Sequence, residues 1–335
     1  MISLNDINFV TREEYSKWCE DTGARAIGGS DVAGIIDKSK WSSRFSIWKD
    51  KLFGRDKFKT QYMIDGIELE DSLLETFLND NPEFELADKC DNKLVIHPDY
   101  PFMVSAIDAI LRHKESGELY LMEIKTTNAY NRADWEGGIP DYYYTQVLHY
   151  ANCTGIDKSI LYVSIRDGAN EVKNDYYLLT EESTPSYHDT KQYLIDEIVS
   201  FWNTYVITQN PPLLDGSKPT ERALGYLNEN EIDITASFRD MRNAIPKILE
   251  ARNYYDTLLK EVTEIKKNLD TIIKGYVGFG TKEINGYKLS YKTYSTNKFD
   301  TASFREDNPD LYNRYITQNS YQRFTVTKKK GVIDD

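Results

Sequence analysis

The stretch LYLMEIKTT, residues 119–127, is apolar and β-prone except that Glu123 and Lys125 stand two positions apart. In a strand, side chains two apart share a face, so Leu121, Glu123 and Lys125 line one surface while Tyr120, Met122 and Ile124 line the other. A carboxylate and an ammonium therefore sit side by side where an isolated charge is costly.

The residues before this stretch, 93–118, read as strand, turn, second strand and an ESGE hairpin turn that leads into 119–127. In FMVSAIDAIL (102–111), Phe102, Val104, Ala106, Asp108 and Ile110 share one face of a single strand. Both longer strands are apolar on each face, which places them centrally in a sheet covered on both sides. PDYYYTQVLHYANCTG (140–155) has Pro140 near its start and Gly155 past its end and reads as a helix. SILYVSIRDG (159–168) and NDYYLLT (174–180) read as a strand pair. Upstream, GARAIGGSDVAGIID (23–37) reads as a Gly-rich turn and a helix capped by Ser30. SSRFSIWKDKLFG (42–54) reads as a helix stopping at Gly54, and DGIELEDSLLETFLND (65–80) as a third.

TQNPPLLDGSKPT (208–220) is rich in turn formers and marks a boundary, giving a domain over 1–210 and an extension over 211–335. In the extension Leu258, Val262, Ile265, Leu269, Ile272 and Tyr276 recur at spacings of four and three, a heptad-like helical seam. GYKLSYKT (286–293) and YQRFTVTKKK (321–330) read as strands, and Lys328 to Lys330 as a solvated tail.

The 335 residues are 40% hydrophobic and 28% charged, enough for one large domain or two smaller ones. The start, MISLNDINFVTREEYSKW, has no basic-then-apolar leader, and no run reaches the length of a membrane span, so the expectation is a cytoplasmic protein without membrane association. Cys19, Cys90 and Cys153 are far apart and form no CxxC pair, so neither a disulfide framework nor a cysteine-held zinc or iron-sulfur site is indicated. His97, His113, His149 and His188 show no ligand spacing and read as structural. The net charge of −13 weighs against a polyanionic partner, although a cation held between carboxylates needs local negative charge.

Read singly, Glu123 and Lys125 form a structural ion pair and Asp108 caps a turn. Read together, two carboxylates on adjacent strands suit Mg²⁺, a hard cation with oxygen ligands, and the neighbouring ammonium suits charge developing on a phosphate. Glu70 adds a third carboxylate. On its helix Ile67, Leu74, Phe77 and Leu78 form the apolar stripe, and Glu70 projects within it while Glu68 and Glu75 point to solvent.

Glu70, Asp108, Glu123-x-Lys125 and Gln146, in this order, together with IGGSDVAGI and GIELE, resemble the PD-(D/E)xK nuclease core, and within it the YqaJ-type viral recombinase nucleases related to phage lambda exonuclease. The resemblance covers about residues 25 to 205. Ile107 departs from it, standing where many relatives have proline. It implies an α/β fold, a mixed central sheet flanked by helices with a helical and β-containing extension. It implies Asp108, Glu123, Glu70 and the Ile124 carbonyl as metal ligands, Lys125 as the catalytic lysine, and Gln146 as an orienting group. It further implies Arg25 and Ser30 as the receivers of a DNA 5′-phosphate, at a helix start whose N–H groups and dipole favour an anion.

The implied activity is a Mg²⁺-dependent exonuclease, with Mn²⁺ able to substitute, that degrades one strand of linear double-stranded DNA from its 5′ end and leaves a 3′ overhang for phage-type recombination in a bacterial host. The implied partners are a single-strand annealing protein and further copies of the chain. The alternatives are a structure-specific or site-specific endonuclease on the same core, and a non-catalytic DNA-binding module.

Overall fold

The strand expected over 119–127 runs from Leu119 to Asn128 and is the middle strand of a five-stranded sheet. The structure, a computed structural model, describes residues 2–55, 61–128, 133–167, 170–184 and 186–317. The chain divides into two compact units, Met1–Ser237 and Phe238–Asp335.

In chain order the first unit begins with β1 (Phe9–Thr11), α1 (Arg12–Thr22), β2 (Ile27–Gly28), α2 (Gly29–Ile35), α3 (Arg44–Phe53) and α4 (Gln61–Asp80). Strands β3 (Phe84–Asp88), β4 (Lys93–Ile96), β5 (Met103–Ser105), β6 (Ala109–His113) and β7 (Leu119–Asn128) follow. The unit then continues through α5 (Asp141–Thr154), β8 (Ser159–Asp167), β9 (Asn170–Leu179), α6 (Tyr187–Phe201) and α7 (Lys218–Glu229).

Local chemistry sets several of these boundaries. Thr11 and Glu14 form a reciprocal capping box at the start of α1. Ser43 caps α3, and Gly54 follows that helix at φ +90°. Gly155 ends α5 at φ +74°, a conformation that disfavours any residue with a Cβ.

The large sheet has the order β3-β6-β7-β8-β9. β6 pairs antiparallel with both β3 and β7, β8 lies parallel to β7 after the α5 crossover, and β9 returns antiparallel. Both faces are covered. Tyr120, Met122 and Ile124 join Leu73, Leu74 and Phe77 of α4 in one apolar cluster. Leu161, Val163 and Ile165 of β8 join Val147 of α5 and Trp135 in another. The small sheet has the order β1-β4-β5-β2, with β2 parallel to β5.

Three expectations are corrected here. The single strand through 102–110 is two strands in two different sheets, because the chain leaves β5 after Ser105 and enters β6 at Ala109. Asp108 therefore stands in the break between them, not on a continuous strand face. Ser30 is not a cap: Gly28 holds that position, and Asp31 accepts the Gly28 N–H at 2.7 Å. Third, the first unit runs past residue 210, since α7 packs on α3. The Ser43 and Thr220 hydroxyls meet at 2.7 Å, and the Tyr226 hydroxyl donates to the Phe53 carbonyl at 2.9 Å.

The second unit holds α8 (Ile245–Val277), the hairpin β10 (Gly280–Ile284) and β11 (Tyr287–Tyr291), α9 (Thr301–Asp307) and α10 (Pro309–Tyr315). The seam from Leu258 to Tyr276 lies on α8, as its spacing predicts, and GYKLSYKT supplies β11. YQRFTVTKKK lies outside the described residues. No helix among the described residues is long and apolar enough to cross a membrane.

Candidate active site

Glu123 is buried on β7, on the face that looks toward α5. Its Oε1 accepts from the Lys125 ammonium and, at 2.6 Å, from Gln146 Nε2 of α5. Its Oε2 is buried and has no hydrogen-bond partner among the described residues. A carboxylate oxygen in that condition carries the full cost of its lost hydration.

Asp108 reaches the same place from the strand break. The last pair of the β6–β7 ladder is Ala109 with Met122, and one residue earlier the Asp108 Oδ2 accepts the Ile124 N–H at 2.7 Å. Glu70 arrives from α4. That helix comes close to β7 at Gly66, where a Cβ would stand 3.0 Å from the Thr126 hydroxyl oxygen, and Glu70 is half-buried one turn further on. Leu74 and Phe77 are buried, Leu78 is partly buried, and Glu68 and Glu75 are exposed, as the stripe predicts, while the side chain of Ile67 lies outside those described.

The carboxylates act on one another. Burial raises the Asp108 carboxyl well above its usual range, and Glu123 and Glu70 add to the shift. Burial, then Glu123 and Asp71, raise Glu70. Burial alone would lower the Lys125 ammonium, but Glu123 and Asp108 outweigh it and hold the group charged. Three carboxylates thus share one cation. Among the described residues, no group of three or more His, Cys, Asp or Glu side chains stands close enough to hold a metal ion together. The oxygens already engaged, Glu123 Oε1 and Asp108 Oδ2, point to protein donors.

Tyr150 belongs to this cluster although the sequence reading passed over it. Its hydroxyl accepts from Gln146 Nε2 at 2.6 Å, so one amide nitrogen ties tyrosine and glutamate together. The available signal was spacing: positions 146 and 150 lie on one helix face. Gly29 closes the other side, since a Cβ there would stand 2.6 Å from Tyr150 Cε1 and 3.2 Å from the Gln146 carbonyl oxygen.

Arg25 and Ser30 are exposed, and neither side chain has a described hydrogen bond to the cluster. The charge next to them is elsewhere, on buried Asp31, which pairs with buried Lys51 and with Arg55. Burial would raise Asp31, but the two cations outweigh it and hold the carboxyl at about 2. His149, three residues after Gln146, is fully buried, with Nε2 2.9 Å from the Val104 carbonyl oxygen. His97 accepts two backbone N–H groups in a turn. Both fit the structural role expected of them.

A helix, three antiparallel strands, a crossover helix and a strand parallel to the third, with β4 and β5 inserted, form a mixed α/β core. Residues 16–157 match the model of the YqaJ-like viral recombinase domain. Over 320 residues it is 27% identical to the uncharacterized protein YqaJ of Bacillus subtilis (strain 168), covering 90% of this chain and 91% of that protein. Among solved structures it is similar to an alkaline exonuclease (LHK-Exo) from Laribacter hongkongensis, at 15% identity and a TM-score of 0.42, covering 66% of this chain and 98% of that one. A phage-related exonuclease from Haemophilus somnus 129PT aligns at 13% identity and a TM-score of 0.39, over 56% of this chain and 97% of that one.

Proposed function

We propose that the chain is a Mg²⁺-dependent deoxyribonuclease that degrades one strand of linear duplex DNA from the 5′ end and leaves a 3′ overhang. The observation that carries the reading is the buried, unpartnered Oε2 of Glu123 beside Asp108 and Glu70, both raised by burial and by the charge of Glu123. The oxygen donors of this set suit a hard divalent cation, which would relieve both the lost hydration and the repulsion and draw together carboxylates that do not converge without it. Glu123, Asp108, Glu70 and the Ile124 carbonyl would hold it. When bound, Mg²⁺, or Mn²⁺ in its place, supplies an activated water and neutralises charge on the phosphate.

The chain's own residues do the rest. Lys125 keeps its proton at Nζ and faces the scissile phosphate as a fixed positive charge. Gln146 holds the Glu123 carboxylate through Nε2, and Tyr150 holds that amide in turn. Exposed Ser30 follows Gly29, which packs on Gln146, in the first turn of α2, and exposed Arg25 precedes β2; these two residues would take a 5′-phosphate. Self-association and a single-strand annealing protein as partner belong to the same proposal.

A divalent-cation titration on linear duplexes labelled at either end tests the reading. Release of 5′ label that requires Mg²⁺, with closed circular DNA left intact, is the expected result. Cutting of circular DNA would make the enzyme an endonuclease, and no cleavage with any divalent cation would end the proposal.

A further inference from the structure

A line of rings leads away from Lys125 to an exposed tryptophan. The Lys125 ammonium lies 5.3 Å from the Tyr143 ring centroid, and the Tyr143 and Tyr142 rings meet edge to face at 4.5 Å. Lys40 Nζ lies 6.0 Å from the Tyr142 ring and 5.2 Å from the Trp41 ring. Trp41 is 63% exposed, an unusual state for the largest apolar side chain.

The loop that carries it is held in place. The Ser39 hydroxyl oxygen accepts the N–H groups of Trp41 and Ser42 at 3.0 and 3.1 Å. Lys40 bonds Asp134 at 2.6 Å, and Lys38 pairs with Asp141 at the start of α5. Since Gly29 packs on Gln146 and Tyr150, α2 and its loop run along α5 in the opposite sense and deliver Trp41 to the end of α5 nearest Tyr142. Tyr142 and Gln146 are one helical turn apart on α5, and Gln146 touches Glu123.

We propose that Trp41, with Lys40 and Tyr142, forms a stacking platform for an unpaired base of the DNA strand that enters the Glu123–Lys125 site. The inference rests on the nuclease reading above and adds a place for the base, which the carboxylate site does not supply. Every base offers a π-face, so such a platform is indifferent to sequence, as an enzyme that moves along a strand requires. Lys40, held by Asp134, ties the two rings into one surface through its contacts with both.

Binding of a labelled oligodeoxythymidylate, with Ca²⁺ in place of Mg²⁺, is compared with binding of an abasic oligomer of equal length. Trp41→Ala weakens binding of the base-bearing oligomer by about 5- to 100-fold, leaves the abasic oligomer unaffected, and keeps the wild-type melting temperature. Trp41→Phe restores most of the affinity. Wild-type affinity of Trp41→Ala for both oligomers, or an equal loss on both, overturns the platform. The two readings fail separately. Mg²⁺-dependent cleavage by the wild type without the base-specific contrast removes the platform alone, whereas the contrast without cleavage removes the nuclease alone.

Discussion

The Asp108 carboxylate accepts the Ile124 N–H at 2.7 Å, one residue beyond the last β6–β7 pair, so a single side chain both closes the ladder and brings a third charge to Glu123 and Glu70. The first duty needs only an oxygen, and the second needs a carboxylate.

Asp108→Asn separates these roles. Its amide oxygen still accepts from Ile124, so the fold persists. A raised folded-state pKa means that the ionised form is disfavoured in the fold, so Asp108 costs stability as pH rises through the usual aspartate range and above. In chelator at neutral pH, the variant melts at or above the wild-type temperature. Cleavage falls by more than the ~10–100-fold typical of outer-shell partners. Wild-type cleavage would show that Asp108 is not in the active site.

Gln146 and Tyr150 make a graded pair. Gln146→Leu removes the 2.6 Å bond to Glu123 and lowers cleavage by about 10–100-fold, with a raised Mg²⁺ requirement. Tyr150→Phe leaves Gln146 bonded to Glu123 and costs less. Metal titrations of the two variants check the order, and a larger defect in Tyr150→Phe reverses it.

The split between readable and unreadable parts follows the range of the interactions. β7, α3 and α5 were readable because their signals are local: alternation around Glu123, Ser43 before and Gly54 after one helix, Pro140 and Gly155 around the other. The β5–β6 break was not, because 102–110 is apolar throughout and only pairing with two different partners divides it. Ser30 was read as a cap because serine caps often, whereas Asp31 takes the Gly28 N–H here while also facing Lys51, which is 20 positions away. The short strand β3 and the helix α6 carried no strong local signal and were not anticipated. The proposed site residues Glu70, Asp108, Glu123, Lys125 and Gln146 were chosen by type and order, and Tyr150 was passed over because tyrosine is common in this chain.

Gly29 is required by the packing of α2 on α5. An added Cβ meets Tyr150 at 2.6 Å and the Gln146 carbonyl oxygen at 3.2 Å, and the latter is backbone and cannot swing aside. Gly29→Ala destabilises the first unit by about 1–3 kcal/mol and lowers cleavage by displacing Gln146. Gly137, with nothing within 4 Å of an added Cβ, is the control, and Gly137→Ala leaves cleavage unchanged. Thermal melting and initial rates of both variants decide.

His149 predicts an acid sensitivity. Burial holds its imidazole down at about 4, and its Nδ1 has no hydrogen-bond partner among the described residues. A depressed folded-state value means that the unfolded chain binds the proton first, so stability is intact above pH ~6.5 and is lost as pH falls toward 4. The shift corresponds to about 3 kcal/mol. Urea midpoints between pH 7 and 4.5 fall steeply in the wild type and less so in His149→Gln, and parallel curves for the two would exclude this histidine as the cause.

The seam of α8 predicts where self-association resides. Leu258, Val262, Ile265, Leu269, Ile272 and Tyr276 are 40–69% exposed, and Ile248 and Tyr255 continue the heptad spacing upstream. The other elements of the second unit leave this face open, and apolar residues at alternating intervals of three and four favour pairing with another helix. Leu269 and Ile272 fall at the a and d positions of one heptad, a combination that favours more than two strands. Full-length chain is therefore expected to scatter light as an oligomer, and Val262→Asp with Ile265→Asp is expected to dissociate it. A chain ending at Ser237 keeps α7 on α3 and retains the wild-type melting of the first unit and its cleavage of short duplexes, as a monomer. A chain ending at Asn210 loses the Ser43–Thr220 and Phe53–Tyr226 contacts and melts lower. If the chain ending at Ser237 keeps the full-length oligomeric state, the seam is not the interface, and the surface that joins the copies lies in the first unit.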